Sequence, residues 1–452
     1  AKELAMSTST TPRPPQLTLT LAADRSLIWT AGDSVRYLVA DINVDGELPP
    51  TNEQVPLNLA LAIDVSGSMQ GEKLESAKRT ALAVANGMRD IDRLTIVSFS
   101  DDAILHLSAR QMDSAGRAEA RDAIRRLRTI SSTNLFGGWQ LAGETLVEAM
   151  RGADRASHRI ILLTDGQANV GVSDAPSLAM HTATLQQRGV ITSAVGIGDD
   201  YDQEILAAMT EAGGGRLHDA ENAGEINEVV LGELLEGRRA LVERVTLTIK
   251  LGRGLRRCEL LGSWAMTPGP DEIQVMVGSL RPESPKRVVL RVTCDAGAAG
   301  SLIPFNASVT AQRADGAGEI SAVAPEMYLR FVEDVENNAQ VRDRERSLAA
   351  LLVWQSTALT EAITMNRAGH REQAKHKLGQ ELRWMRRYAE GLQRAEGLIT
   401  EAEVLYHDIG YDLEERSRKD VAMMLMQRSR SEEDLRSKPR RAMRDTLKPR
   451  RP

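Results

Sequence analysis

Hydrophobic and polar positions divide the chain into three rhythms. From Gln16, the segments QLTLTLAADRSLIW and SVRYLVADINVDG alternate apolar and polar residues around Ala-Asp and Ala-Gly-Asp connections. A period of two turns one face of each segment toward a core, so residues 16–52 are predicted to form two or three antiparallel strands. Residues 57–69, LNLALAIDVSGSM, replace this alternation with a continuous apolar run that stops at Asp64. Such a run reads as a parallel strand buried on both faces. Leu74, Ala77, Ala81, Val84, Ala85 and Met88 then recur at helical spacing, and strands alternate with helices through RLTIVSF, AILHL, HRIILLT and VITSAVGIG. Six strands and about as many helices over residues 56–236 predict a Rossmann-like, doubly wound α/β domain on a parallel sheet.

Period-two alternation returns in VERVTLTIKL, CELLGSW, EIQVMVGSL, KRVVLRVTCD and IPFNASVTAQR. Strands on both sides of the α/β segment predict a β-sandwich, residues 16–52 and 238–332, into which that domain is inserted. Helix formers dominate residues 335–430. Leu348, Leu351, Leu352, Trp354 and Leu359, followed by Leu378, Leu382, Trp384, Met385 and Tyr388, predict a helical hairpin about Ala368-Gly369 with both tryptophans in its core. A third helix is expected near 412–428, which includes VAMMLM. Residues 1–15, rich in Ser, Thr and Pro, and the basic tail 431–452 are expected to stay disordered.

Composition refines this picture. A chain of 452 residues exceeds what one core serves, and with aromatics at 3% its cores must be built from Ala, Val, Leu and Ile. The formal charge of -6 gives no global basic field for nucleic acid. Cys258 and Cys294 lack zinc-knuckle spacing, and a disulfide between them is left open. No apolar signal core and no run of ~20 apolar residues is visible, so neither export nor a transmembrane segment is expected and a cytoplasmic setting is favoured.

The candidate chemistry begins where the apolar run stops. Asp64, Ser66 and Ser68 place oxygen atoms at alternate positions of a Gly-containing turn at a strand's carboxyl end. Thr133 in SSTNLFGG and Asp165 after HRIILLT complete a set of five. In an open parallel sheet such loops share one edge, so residues far apart in sequence can converge. Hydroxyls and carboxylates without Cys or His favour Mg²⁺ or Mn²⁺ ahead of Ca²⁺ or zinc. With three hydroxyls bound directly and the aspartates acting partly through water, the ion keeps an electrophilic position that a partner's Asp or Glu carboxylate can fill. A lone DxSxS also serves as a helix-capping turn; Thr133 and Asp165 in order set this chain apart from that reading.

The order DxSxS, Thr, Asp, carried by DVSGSM and LLTDGQANVG, resembles the metal-ion-dependent adhesion site of von Willebrand factor type A domains over about 56–236. The resemblance implies a Rossmann-like domain that binds protein ligands through a divalent ion held by Asp64, Ser66, Ser68, Thr133 and Asp165. The order of flanking strands is similar to that in bacterial and inter-alpha-trypsin-inhibitor-heavy-chain-like proteins carrying such domains.

Enzymatic readings find less support. There is no GxSxG, GxxxxGK[ST] or HExxH, and His370 and His376 do not share a helical face. Metal-assisted hydrolysis lacks an obvious general base. Gly213-Gly214-Gly215 reads as a helix C-cap and turn rather than a phosphate cradle. A metal-dependent protein-interaction module is therefore expected, ahead of a scaffold with a structural ion that makes its contacts through the helices.

Overall fold

The computed structural model describes residues 12–49, 54–130, 132–151, 156–167, 170–222, 224–431 and 446. The expected disorder of 1–15 and of the basic tail falls mostly outside them. Arg13, however, is tied down: its carbonyl accepts from the Glu47 amide at 3.0 Å and its guanidinium lies 2.8 Å from Asp45.

The chain opens with β1 (Gln16–Ala23), β2 (Leu27–Trp29) and β3 (Val35–Asp45). The α/β unit follows as β4 (Leu57–Asp64), α1 (Glu72–Gly87), β5 (Arg93–Phe99), β6 (Ala103–Gln111), α2 (Ser114–Arg126) and α3 (Leu135–Met150). It continues through β7 (Ser157–Thr164), α4 (Ala175–Gln187), β8 (Val190–Ile197), α5 (Gln203–Ala212), β9 (Gly214–Ala220) and α6 (Glu225–Arg238). Its sheet has the order β6-β5-β4-β7-β8-β9. All neighbours are parallel except β5 and β6, which correct the expectation of a wholly parallel sheet. The short connection through Ser100, Asp101 and Asp102 makes these two strands a hairpin, and a hairpin can only pair antiparallel.

The apolar run is legible in the burial of β4, whose eight residues are all buried at the sheet's centre. Leu59, Leu61 and Ile63 pack under α1 and α6 with Ala77, Ala81 and Val230. Ala60 and Ala62 point the other way, toward Trp139 and Leu146 of α3 and Leu178 of α4. A strand with helices on both faces needs apolar residues at every position, and this one has them, apart from the buried Asn58 at its start and Asp64 at its end.

After the α/β unit come β10 (Val242–Leu251), β11 (Leu255–Leu261), β12 (Ala265–Pro268), β13 (Glu272–Leu280), β14 (Lys286–Cys294), β15 (Leu302–Arg313), β16 (Glu319–Val323) and β17 (Met327–Val332). One sheet runs β1-β3-β14-β11; the other runs β12-β13-β10-β15-β17-β2, with β16 on β15. β3 pairs with β14 from Ile42 opposite Lys286 to Val35 opposite Thr293, so strands on either side of the α/β unit share hydrogen bonds. Leu38, Ala40 and Ile42 of β3, Leu247 of β10 and Phe305 of β15 belong to one core between the two sheets. β2 departs from the antiparallel expectation: it crosses to the second sheet and lies parallel to β17, its Leu27 carbonyl held by Arg36 Nε at 2.8 Å. Cys258 on β11 and Cys294 on β14 are free thiols, and burial pushes each up to about 11.

The remaining elements are α7 (Asp334–Ala339), α8 (Arg344–Arg367), α9 (Arg371–Ala389), α10 (Ala395–Asp408) and α11 (Glu415–Ser429). α8 and α9 form the expected hairpin, with Gly369 at φ 83° in the turn. α10 has no counterpart in the sequence reading, because its buried positions, Ala395, Ala402 and Leu405, make too sparse a stripe. Trp354 is buried and donates its indole N–H to Glu381 at 2.6 Å. Trp384 is corrected from core to surface at 60% exposure: it falls off the Leu378, Leu382, Met385 stripe and stacks with Arg387 instead. α8 is long and apolar enough by composition to cross a membrane, yet 61% of its apolar window is buried inside the fold.

Two surfaces anchor these helices. Tyr37 and Val39 of β3 share a core with Leu351 and Trp354, with the Tyr37 and Trp354 rings stacked at 5.5 Å. α11 reaches across to the α/β unit, where Met423 and Met426 join Tyr201, Ile205 and Leu217. Each buried methionine contributes roughly 1.5–3 kcal/mol to that docking.

Candidate functional site

Asp64 is the last residue of β4, and its backbone neighbours fix where the chain goes next. Val65 donates to the Phe99 carbonyl at 2.9 Å, and the Val65 carbonyl accepts from Ile130 at 2.7 Å. Ser66 is extended and opens a 3-10 turn, Gly67–Met69, that is anchored by the fully buried Met69. Gly71 at φ 83° then releases the chain into α1. The alternate spacing of Asp64, Ser66 and Ser68 thereby becomes a tight loop over the end of the central strand.

The second and third loops meet it there. Asn134 caps α3 by accepting from the Gly137 amide at 2.9 Å, and its own amide donates to the Ser100 carbonyl at 2.6 Å, which holds Thr133 at the edge of β5. Asp165 follows β7, the strand beside β4. The structure thus brings all five predicted residues to one sheet edge. Ser66 Oγ and Ser68 Oγ lie 3.0 Å apart, and Ser68 Oγ donates to Asp165 Oδ1 at 2.7 Å. The Ser66 amide donates to Asp64 Oδ1 at 2.8 Å.

Asp64, Ser66, Thr133 and Asp165 are buried, whereas Gly67 and Ser68 are exposed, so the cluster opens to solvent on one side. Burial pushes the Asp64 carboxyl up to about 6, against the opposing pull of the Thr164 hydroxyl and the Ser66 amide. A buried carboxylate in such a place needs positive charge nearby.

Gly166 supplies a test of fit for a cation. A Cβ at this position would sit 3.3 Å from Thr133 Oγ1 and 3.7 Å from both Asp64 Oδ2 and Ser68 Oγ. Three oxygen atoms from two loops, with Gly166 on the third, therefore surround one small space that the missing side chain leaves clear. Two carboxylates and three hydroxyls form a hard-oxygen set suited to an octahedral divalent ion.

Sequence reasoning assigned no role to three contributors. Thr164 Oγ1 donates to Asp64 Oδ2 at 2.6 Å and accepts from the Gly166 amide at 3.2 Å, which fixes two loops relative to each other. Lys73, in the first turn of α1, places Nζ 2.5 Å from Asp165 Oδ2. Gly166 provides the clearance just described. Thr164 and Gly166 are contiguous with Asp165 and could have been read from it; Lys73 carried no signal without the turn geometry.

The glycine run forms the expected helix C-cap and turn. Gly213 caps α5, Gly214 is left-handed at φ 69°, and the run opens β9. His370 precedes α9 and His376 bonds Gln380 at 2.8 Å. A cavity of about 280 Å³ lined by Leu48, Arg89, Arg238 and Glu243 lies at the opposite end of the sheet, where the chain enters and leaves the α/β unit.

Comparison with known proteins agrees with this geometry. Residues 58–230 match the family model described as von Willebrand factor type A domain. The chain is 34% identical over 206 residues to the uncharacterized protein sll0103 of Synechocystis sp., a match covering 45% of this chain and 47% of that one. It is 36% identical over 126 residues to the human inter-alpha-trypsin inhibitor heavy chain H3, covering 26% of this chain and 14% of that one. The chain thus spans about half the length of the first of these relatives and much less of the second. Among solved structures, a von Willebrand factor type A protein from Catenulispora acidiphila superposes with a TM-score of 0.64 at 18% identity, over 89% of this chain and 91% of that one. That likeness of fold extends to the sheets and helices outside the α/β unit. Residues 58–230 are therefore a von Willebrand factor type A domain.

Proposed function

We propose that the domain binds a protein partner through a divalent ion, Mg²⁺ or Mn²⁺, held by Asp64, Ser66, Ser68, Thr133 and Asp165 as a metal-ion-dependent adhesion site. The observation that carries this reading is the convergence of the five on one solvent-open edge around the space beside Gly166. The ion would bring Lewis acidity and an open coordination position. Thr164 orients Asp64, the two serines present their oxygens on a turn pinned by Met69, and Thr133 is held by the cap of α3. A partner's Asp or Glu side chain then completes the shell.

The open side favours this reading over a purely structural ion, which would be enclosed by its ligands. The flanking strands are best read as one β-sandwich holding the domain as an insertion, a view supported by the β3 to β14 pairing. Capture of partners from the native cell in Mg²⁺, in EDTA, and with Asp64→Ala tests the function. A partner retained equally in all three would refute metal-dependent adhesion.

A further inference from the structure

Lys73 is not among the five oxygen donors, yet it is bonded to one of them. Its Nζ lies 2.5 Å from Asp165 Oδ2, while Ser68 Oγ donates to Asp165 Oδ1 at 2.7 Å. Both oxygens of a carboxylate with no exposed surface are therefore engaged by the chain itself. The lysine reaches this position from the first turn of α1, directly after the loop that carries Ser66 and Ser68. Its head rests against Gly198, which is left-handed at φ 74° and whose Cβ, if present, would lie 3.7 Å from Nζ. Bare backbone thus makes the seat for the ammonium.

Resting on the ion-site reading above, we propose that Lys73 is a tethered cation that competes with the divalent ion for Asp165. A buried carboxylate must be compensated, and one positive charge already on the chain does this when no ion is present. A dication arriving among the five oxygens meets that ammonium at short range and must displace it or bind against its repulsion. Lys73 thereby stabilises the ion-free fold and raises the ion concentration at which the site fills. The same lysine links the site to the helices, because the Gly198 carbonyl accepts from Arg416 Nη1 of α11 at 3.3 Å.

The test is Mn²⁺ titration of the full chain, read by loss of the free-ion electron paramagnetic signal, for wild type, Lys73→Met, Lys73→Arg and Asp64→Ala. Circular dichroism confirms that each is folded. Lys73→Met is expected to bind Mn²⁺ about tenfold more tightly or better, while Lys73→Arg, which keeps the charge, stays near wild type. Thermal unfolding gives a second reading: in EDTA Lys73→Met melts below wild type, and saturating Mn²⁺ raises its melting temperature by more. Unchanged or weaker Mn²⁺ binding by Lys73→Met, with binding still lost in Asp64→Ala, overturns the role of Lys73 and leaves the ion site standing. If neither wild type nor Lys73→Met binds Mn²⁺, the ion site itself fails and this proposal with it.

Discussion

Thr164 Oγ1 donates a 2.6 Å hydrogen bond to Asp64 Oδ2, joining the ends of the two central strands of the α/β sheet through a pair of fully buried side chains. Thr164→Val keeps the shape and removes the donor. Loss of a buried hydrogen bond to a charged group costs about 1.5–3 kcal/mol, and loss of a ligand-orienting partner typically weakens metal binding about 10–100-fold. Calorimetric titration with Mg²⁺ should show this weakening, with the fold retained by circular dichroism.

Gly166→Ala probes the clearance among the loops. The new methyl would stand 3.3 Å from Thr133 Oγ1, in the space assigned to the ion. Gly166 does not have a left-handed backbone, so alanine is tolerated by the main chain. The expected result is at least about tenfold weaker Mg²⁺ binding and a thermal midpoint in EDTA close to that of wild type.

His158 predicts the domain's response to acid. It is buried at the start of β7, its Nδ1 3.3 Å from Asn58 Nδ2, and burial lowers its pKa from 6.5 to about 4. The unfolded chain therefore binds this proton more readily than the folded one. Its contribution is complete above pH 6.5 and is lost as pH falls from 6.5 toward 4, by roughly 3 kcal/mol in all. Urea unfolding at pH 7.5 and 5 should show a drop for wild type that His158→Gln reduces.

Arg416 tests the docking of α11. Its Nη1 lies 3.2 Å from Oδ1 of Asp219, a carboxylate with no exposed surface that also accepts from the Tyr201 hydroxyl at 2.8 Å. Removing the guanidinium weakens the compensation of a buried carboxylate that Lys419 also attracts, at a cost of about 3 kcal/mol or less. Arg416→Met should lower the denaturation midpoint accordingly and expose α11 to limited proteolysis.

Much of this was legible because the responsible pattern is local. Continuous burial wrote β4 into the sequence, and the spacing of Asp64, Ser66 and Ser68 announced a turn of oxygen-bearing side chains at its end. Thr133 and Asp165 were readable because parallel strands end on one edge. Lys73 was not, since nothing in a helix's first turn says which neighbouring loop its ammonium will reach. Nor was β2, whose three residues carry too little pattern to say which sheet they join. The exposure of Trp384 follows from a helix phase that only the packed Leu378, Leu382 and Met385 face defines. α10 hid for the opposite reason, its buried face being made largely of alanine.

The pairing of Val35–Ile42 with residues 286–293 sets the order in which the molecule can be made. During synthesis β3 emerges early and must wait for β14, with the whole α/β unit translated in between. As an unstructured loop that intervening chain would make closure of the sheet entropically costly and slow. Once the α/β unit has folded, its two ends lie together and the long loop behaves as a short one. Completion of the α/β unit is thus the step that allows the first sheet to close. Mutations that weaken β4 should reach beyond the loops at its end and leave β1 and β3 exposed as unpaired strands, open to association with other chains.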